Sequence, residues 1–273
     1  MLFSTPGAWL QNGSDPTDLT LGFAVDSSFI GTWAVEAGRE CRQLPQGGRL
    51  RDAQFSADGR FFASSSSDSI CLWKADRGQF VARLPAEDAH SVSFEPTGTH
   101  LITMGPVGVF RWPISKEITE VRAGPAQRIS ALTCGGGCLS PKGDFIIVAE
   151  LGSVRIFDLV NAGQPRQLTG HAQANTVCVS PDGKLFATAT WQGTGVKIWM
   201  TETGQPIQEL PVVGSATSSF SPDGRWLVTG SAEEYRFWKV GAWQAGLAIP
   251  RDRAGDMPGD CQRRNDITGK PPV

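Results

Sequence analysis

Six aromatic residues recur along the chain at nearly constant intervals. They are Trp33, Trp73, Trp112, Phe157, Trp199 and Trp238, separated by 40, 39, 45, 42 and 39 residues. The segments IGTWAVEAGRECRQLP and ICLWKADRGQFVARLP also align without a gap, at an offset of 40 residues. A fixed period of about 20 to 50 residues is the signature of a repeat architecture. The chain is therefore expected to contain about six copies of one unit, with the aromatic residues as buried structural anchors.

A tight turn precedes each of the last five anchors. The turns are SADG at 56–59, EPTG at 95–98, SPKG at 140–143, and SPDG at 180–183 and 221–224. Short runs such as FIIVAE and WLVTGS follow them, and their β-branched and aromatic residues favour strands. No window shows the sustained periodicity of an amphipathic helix. We therefore predict an all-β chain.

Four short strands in a unit of about 40 residues cannot bury both faces of their own sheet, so the units must stack radially. We predict a β-propeller of about six four-stranded antiparallel blades, or an incomplete ring of seven. The propeller should occupy residues 1–250, with blades at about 7–45, 46–85, 86–124, 125–169, 170–210 and 211–250. Residues 251–273 have three prolines, many charges and no alternating apolar pattern, which predicts a disordered tail.

The order of turn, strand and tryptophan resembles the WD40-repeat β-propeller family over residues 7–250. The family's Gly-His pair before the innermost strand survives clearly at Gly170 and His171, and only Phe157 is followed by Asp, at Asp158. No blade has the family's His, Ser/Thr, Asp and Trp set at the usual spacing, so packing is expected to supply most of the rigidity. Segments such as TETGQPIQELP are similar to propellers found beside kinases in bacterial signalling proteins, although the sequence has no kinase motif.

Composition disfavours several classes of partner. The formal charge is -2 and the pI is about 6.0, so we expect no nucleic-acid binding. No segment approaches the roughly 18 apolar residues of a membrane span, and the N-terminus lacks the features of a signal peptide. We therefore expect a cytoplasmic protein that does not bind membranes.

The sequence also lacks the usual signs of a catalytic or metal site. Cys134 and Cys138 form CGGGC, half of a possible zinc site, but no second pair lies at finger spacing. The chain has three histidines, and neither G-x-S-x-G nor H-E-x-x-H occurs. We expect no catalytic residue, no metal and no cofactor.

The longest insertions predict the binding surface. With the strands of a blade named a to d from the inside outward, the a–b and c–d turns form one face, the turn face. The b–c and d–a loops form the other, the loop face. Extra residues in a d–a connection (122–137) and in the b–c loop of the next blade (190–195) both fall on the loop face. Clustered insertions in repeat proteins often mark the binding face.

The candidate protein-binding residues on the loop face are Trp191, Arg128, Arg122, His171, His90, Arg49 and Arg51. Trp191 lies outside the anchor register, and tryptophan is enriched at binding hot spots. The alternative is that its ring covers apolar surface at a blade edge. The alternative for the arginines is that they are solvated loop residues, and for the two histidines that they are structural.

We predict a non-catalytic protein-protein interaction scaffold whose loop face binds a protein or peptide. One alternative is a propeller enzyme of the hydrolase or lactonase type, which would need acidic, Asn or His residues gathered on the inner strands. Another is a truncated regulatory propeller separated from a signalling kinase. Function depends on such sites and not on the fold alone.

Overall fold

The computed structural model describes the strands within residues 20–45 and then residues 47–250, apart from 86–87, 117–120, 151, 162 and 192. In the first three strands it describes the backbone and, among side chains, Leu44. The predicted tail, residues 251–273, lies outside the described residues. The described part of the chain contains no helix, and hence no helix long and apolar enough to cross a membrane.

The described strands form six antiparallel sheets, each built from consecutive strands. The first sheet contains β1 (Thr20–Ala24), β2 (Phe29–Ala34) and β3 (Cys41–Pro45). The second contains β4 (Leu50–Phe55), β5 (Phe61–Ser66), β6 (Ile70–Lys74) and β7 (Gln79–Leu84). The third contains β8 (Ser91–Phe94), β9 (His100–Gly105), β10 (Gly108–Lys116), β11 (Val121–Ala123) and β12 (Gln127–Ser130). The fourth contains β13 (Gly136–Leu139), β14 (Phe145–Glu150), β15 (Ser153–Asp158) and β16 (Arg166–Thr169).

The last two sheets repeat the four-stranded pattern. The fifth contains β17 (Ala174–Val179), β18 (Leu185–Thr190), β19 (Thr194–Met200) and β20 (Pro206–Val213). The sixth contains β21 (Thr217–Phe220), β22 (Trp226–Gly230), β23 (Glu234–Lys239) and β24 (Ala245–Pro250). Neighbouring strands in each sheet are joined by antiparallel ladders. The structure thus confirms the predicted all-β fold of antiparallel propeller blades.

Each hydrophobic cluster of the core lies between two successive blades. Along β14, Ile146 and Val148 pack against the third blade, whereas Ile147 and Ala149 pack against the fifth. This alternation follows from the two-residue period of a strand, and here both faces are apolar because both are covered. Five of the six aromatic anchors are buried in these clusters: Trp73, Trp112, Phe157, Trp199 and Trp238. The side chain of Trp33 lies outside the described residues.

Four anchors also donate a hydrogen bond to a hydroxyl on strand b of their own blade. The indole N–H groups of Trp73, Trp112, Trp199 and Trp238 donate to Ser64 (3.2 Å), Thr103 (3.0 Å), Thr188 (2.8 Å) and Thr229 (2.9 Å). Blade four has Phe157 as its anchor, and the corresponding strand-b residue is the buried Val148. Blade four therefore lacks both the indole donor and the hydroxyl acceptor, so no buried hydroxyl is left unpaired at this position.

The a–b turns share a second device. The hydroxyl of the first turn residue donates to an aspartate and accepts the N–H at the start of strand b, as Ser180 does with Asp182 (2.7 Å) and Leu185 (2.9 Å). The glycine of the same turn, Gly183, has a φ of 75°, where a side chain would be strained. In blade three Glu95 replaces the serine, and its buried carboxylate accepts two hydrogen bonds from Arg111 (2.7 and 3.0 Å).

Side chains on the innermost strands accept backbone N–H groups of the following blade. The hydrogen bonds run from Val92 to Asp52 (2.9 Å), from Phe94 to Gln54 (2.7 Å) and from Gly137 to Ser91 (3.2 Å). In the next blades, the sulfurs of Cys138 and Cys178 interact with the backbone at Val179 and Phe220. A strand edge with unpaired N–H groups is thereby satisfied without an additional strand.

The pairing of anchor and hydroxyl predicts energetic coupling in blade three. Trp112→Phe removes the donor to Thr103, and the buried hydroxyl left behind should cost about 1 to 3 kcal/mol beyond the lost packing. Adding Thr103→Val reproduces the Phe157 and Val148 combination of blade four and should recover about 1 kcal/mol. Urea denaturation of both single variants and the double variant measures this coupling. Additive single effects would show that the hydrogen bond contributes nothing.

The inner strand also predicts a pH effect at Asp52. Burial raises the pKa of this carboxyl from 3.8 to about 6, against the opposing effect of hydrogen bonds from Val92 and Ala53. The folded state therefore binds more protons than the unfolded state between these values, so stability should fall as the pH rises from about 4 to 6. Asp52→Asn removes this loss, and its free energy of unfolding relative to wild type should increase by about 2 to 3 kcal/mol across that range.

Urea denaturation at pH 4, 5, 6 and 7 tests the effect, with Asp223→Asn as the matched control. Hydrogen bonds from Ser221 and Arg225 lower the pKa of the exposed Asp223 to about 2. Its carboxylate is therefore charged in both the folded and the unfolded state above pH 5, and Asp223→Asn should give a constant difference from wild type there. A constant difference for Asp52→Asn as well would contradict the raised pKa.

Candidate functional site

Backbone hydrogen bonds join the d–a loops to the b–c loops on one face of the blades. Ser67 donates to Arg49 (3.0 Å), Trp191 to Gln173 (3.2 Å), and Ala216 to Thr190 (3.0 Å). On the opposite face, the c–d turns bond to the a–b turns in the same way, as in Leu159 to Asp144 (2.8 Å). These contacts make the loop face a set of mutually braced connections.

Trp191 lies in the b–c loop of blade five and is 58% exposed. Its backbone N–H is held by Gln173 of the preceding d–a loop, so the exposed indole is carried by a braced segment. A loop whose backbone is already held loses less conformational entropy when a partner binds its side chain. Trp191 therefore combines an exposed aromatic side chain with a hydrogen-bonded loop, as expected of a contact residue.

His171 is buried inside blade five. Its Nδ1 lies 2.6 Å from the hydroxyl oxygen of Thr188, which in turn accepts the indole N–H of Trp199 at 2.8 Å. Three of the four residue types in the WD40 hydrogen-bond chain are thus connected here, although the sequence does not show the set at the usual spacing. This geometry gives His171 a structural role, which was the alternative to its being a contact residue.

Arg51, Asp88 and His90 form a charged group between blades two and three. Arg51 donates two hydrogen bonds to Oδ1 of Asp88 (2.8 and 3.0 Å), and Nε2 of His90 lies 3.4 Å from Oδ2 of the same carboxylate. Nδ1 of His90 also contacts the carbonyl of Gly135. Arg51 and His90 are therefore engaged within the propeller, whereas the neighbouring Arg49 is exposed.

Arg122 and Arg128 lie on strands and not in a loop. β11 and β12 both pair with β10, on either side of Gly124 and Pro125, and together they form the outer edge of blade three. The exposed Arg128 guanidinium lies 5.9 Å from the ring centre of Phe110. The side chain of Arg122 lies outside the described residues. The spacing of the repeats predicts Arg122 and Arg128 in the d–a insertion and residues 127–130 in the fourth blade, because an interrupted outer strand resembles a loop in sequence.

Sequence reasoning missed three exposed apolar residues on the loop face. Val107 is in the b–c turn of blade three, Leu132 is in the following d–a loop, and Val213 ends the outer strand of blade five. Val213 is 83% exposed, the largest value among the exposed large hydrophobic residues of the described chain. Their position next to b–c and d–a connections was a usable signal, but the sequence does not show whether a blade covers them.

The inner strands of blades two to six, whose side chains the structure describes, do not gather the acidic residues that a propeller enzyme would require. The side chains that bridge successive inner strands come from Asp52, Gln54, Ser91, Cys138 and Cys178. Burial raises the pKa of Cys138 to about 11 and that of Cys178 to about 12, so both thiols are protonated at neutral pH and are poor nucleophiles. Within the described residues, no three His, Cys, Asp or Glu side chains come together as metal ligands.

Comparison with known proteins yields two family matches. The model for the WD domain, G-beta repeat, matches residues 40–74, and the model for eukaryotic translation initiation factor eIF2A matches residues 140–237. The first match ends in the strand that carries Trp73, and the second covers most of the last three blades.

Several curated proteins are similar to parts of the chain. The transcriptional corepressor LEUNIG_HOMOLOG of Arabidopsis thaliana is 27% identical over 203 residues, which cover 70% of this chain and 24% of the corepressor. The small ribosomal subunit protein RACK1y of Oryza sativa subsp. japonica is 32% identical over 91 residues, 32% of this chain and 26% of that protein. Eukaryotic translation initiation factor 2A of Schizosaccharomyces pombe is 38% identical over 82 residues, 28% of this chain and 14% of the factor.

The matched part of the chain therefore spans about a quarter or less of the length of these three relatives. The relatives are eukaryotic and lend no support to the resemblance to bacterial kinase-associated propellers. WD40 proteins of this kind are typically non-catalytic scaffolds for protein interactions. In its matched repeat, its relatives and its blade architecture, the chain is similar to WD40-repeat proteins.

Proposed function

We propose that the protein is a non-catalytic interaction scaffold whose loop face binds a protein or peptide partner. The observation that carries the proposal is the exposed Trp191 on a hydrogen-bonded loop. Such a residue can bury a large apolar area without a preceding change of backbone conformation. Tryptophan is also among the residues that most often dominate interface energies.

The other predicted contacts whose side chains the structure describes divide into two groups under this proposal. Arg49 and Arg128 are exposed and able to contribute polar contacts at the rim of an interface. Arg51, His90 and His171 act from within, since they brace the loops and strands that carry the exposed residues.

The relatives' names point to different settings: a transcriptional corepressor, a ribosomal subunit protein and an initiation factor. What they support in common is a scaffold role. For this chain we propose a cytoplasmic location and a protein partner. A protein partner is favoured because the net charge of -2 gives no general attraction to nucleic acid or anionic lipid. A regulatory role beside a kinase rests on sequence resemblance alone.

Capture of partners from a lysate of the source organism tests the role of Trp191. Trp191→Ala should reduce the capture of specific partners at least tenfold, because truncation of a hot-spot tryptophan commonly costs about 2 kcal/mol or more. Val160→Ala is the matched control, since Val160 is 72% exposed in a c–d turn on the turn face. Both variants should retain the wild-type unfolding midpoint, because both side chains are exposed.

Quantitative mass spectrometry of the captured proteins separates the outcomes. Loss with Trp191→Ala but not with Val160→Ala supports binding on the loop face near blade five. Equal capture by all three proteins would place the binding surface elsewhere. Arg128→Ala, measured in parallel, shows whether the outer edge of blade three contributes.

A further inference from the structure

A small groove opens on the loop face between blades five and six. It has a volume of about 220 Å³. One side is formed by the end of β20, with Pro211, Val212 and Val213. The other side is formed by the b–c turn of blade six and the strands next to it, with Ser231, Glu233, Glu234 and Arg236 as the main polar residues.

The apolar side of the groove is shaped by a bulge in β20. Val196 pairs with Leu210 and Thr194 pairs with Val213, so three steps along β20 face two steps along β19. Pro211 lies in this bulge, where the missing N–H of proline is tolerated. Leu210 and Val212 are buried between the blades, whereas Val213 is turned outward. The strand therefore presents a fixed aliphatic surface.

The polar side of the groove is acidic and locally ordered. The Ser231 hydroxyl accepts the backbone N–H groups of Glu233 (3.2 Å) and Glu234 (3.3 Å), which fixes the turn that carries both carboxylates. Arg236 donates to Glu234 at 2.6 Å and neutralises it. Glu233 is exposed and makes no ion pair within the described residues, so the groove keeps one net negative charge.

The size of the groove indicates the kind of occupant. Pockets that enclose a small-molecule ligand usually measure about 300 to 1,000 Å³, and this groove is smaller. It can hold one aliphatic side chain with a neighbouring cationic group at its acidic rim. An extended peptide supplies both on adjacent residues, because successive side chains point to opposite sides of the backbone and can reach opposite sides of the groove.

We propose that this groove binds a peptide segment in which an aliphatic residue is followed by lysine or arginine. The aliphatic side chain packs on Pro211 and Val213, and the cation contacts Glu233 beside the pair of Glu234 and Arg236. This proposal deepens the proposed function and rests on it, since it names the chemistry of the partner and a second binding position beyond Trp191. The charge complementarity at Glu233 selects a basic partner.

Methyl NMR with a defined probe tests the proposal. The probe is the tetrapeptide acetyl-Gly-Leu-Lys-Gly-amide, added to the full chain with ¹³C-labelled valine methyl groups. We expect the Val212 and Val213 signals to shift in a saturable manner. Acetyl-Gly-Leu-Glu-Gly-amide and acetyl-Gly-Gly-Lys-Gly-amide should bind at least fivefold more weakly. Equal binding of the Leu-Glu peptide, or no shift with the Leu-Lys peptide, would overturn the proposal.

Matched charge variants locate the site. Glu233→Lys should weaken the Leu-Lys peptide at least fivefold. Glu202→Lys, at an exposed residue in a c–d turn on the turn face, should leave its affinity unchanged. Thermal unfolding of both variants checks that each is folded. An equal effect of the two variants would mean that net charge and not this groove governs binding, and would overturn the proposal.

Two further measurements distinguish this inference from the proposed function. Trp191→Ala should lose captured partners yet retain the peptide response at Val213; loss of both would overturn the groove as a separate position. If the peptide fails while Trp191→Ala still loses partners, the groove is wrong and the scaffold stands. Shifts of Val213 on dilution of the protein alone would identify a second copy as the occupant and overturn a peptide partner.

Discussion

The structure depends on contacts between neighbouring blades, which bury both faces of blades two to five. Strand b of blades two to five sends alternate residues to the preceding and the following interface, as Ile146 and Ile147 do in blade four. Neither face could remain apolar if a neighbour were absent, so no blade is an independent folding unit. The aromatic anchors are the largest side chains in these interfaces, and four of them add a hydrogen bond to a buried hydroxyl.

Backbone hydrogen bonds hold the described loops of the loop face against one another. The b–c and d–a connections are short, and backbone hydrogen bonds such as that from Ala216 to Thr190 tie them together. Trp191 and Val213 are therefore exposed beside hydrogen-bonded connections. A surface of this kind favours recognition of a partner by preformed contacts over recognition by loop rearrangement.

The sequence predicted the features that repeat. The aromatic period, the turn tetrapeptides and the alternating apolar runs all arise from local constraints that recur in every blade, and they led to the all-β propeller. Features that occur once were not predictable. The splitting of the outer strand of blade three, which moves Arg128 to a strand, depends on pairing with β10 across the sheet. The pairing of Arg51 with Asp88, 37 residues away, likewise depends on how two blades meet.

The candidate site divides in the same way. Trp191 was found from its position outside the anchor register, which is a local signal. Val213 was missed because its exposure follows from a bulge and from the position of blade six. The connection of His171 to Trp199 through Thr188 was also missed, because it joins three strands or loops whose spacing departs from that of the family.

The hydrogen bonds between inner strands run in one direction along the chain. Blades two to five each supply acceptors to the blade that follows, as Asp52 and Gln54 do for Val92 and Phe94. A duplicated blade therefore brings the groups needed by its successor but relies on its predecessor for its own N–H groups. Growth of such a repeat array by insertion of a whole blade preserves every one of these bonds. Exchange of a single inner strand between blades preserves the pattern as well, because the acceptor side chains move with that strand and the donors are backbone N–H groups. These hydrogen bonds therefore tolerate recombination of the repeats during evolution.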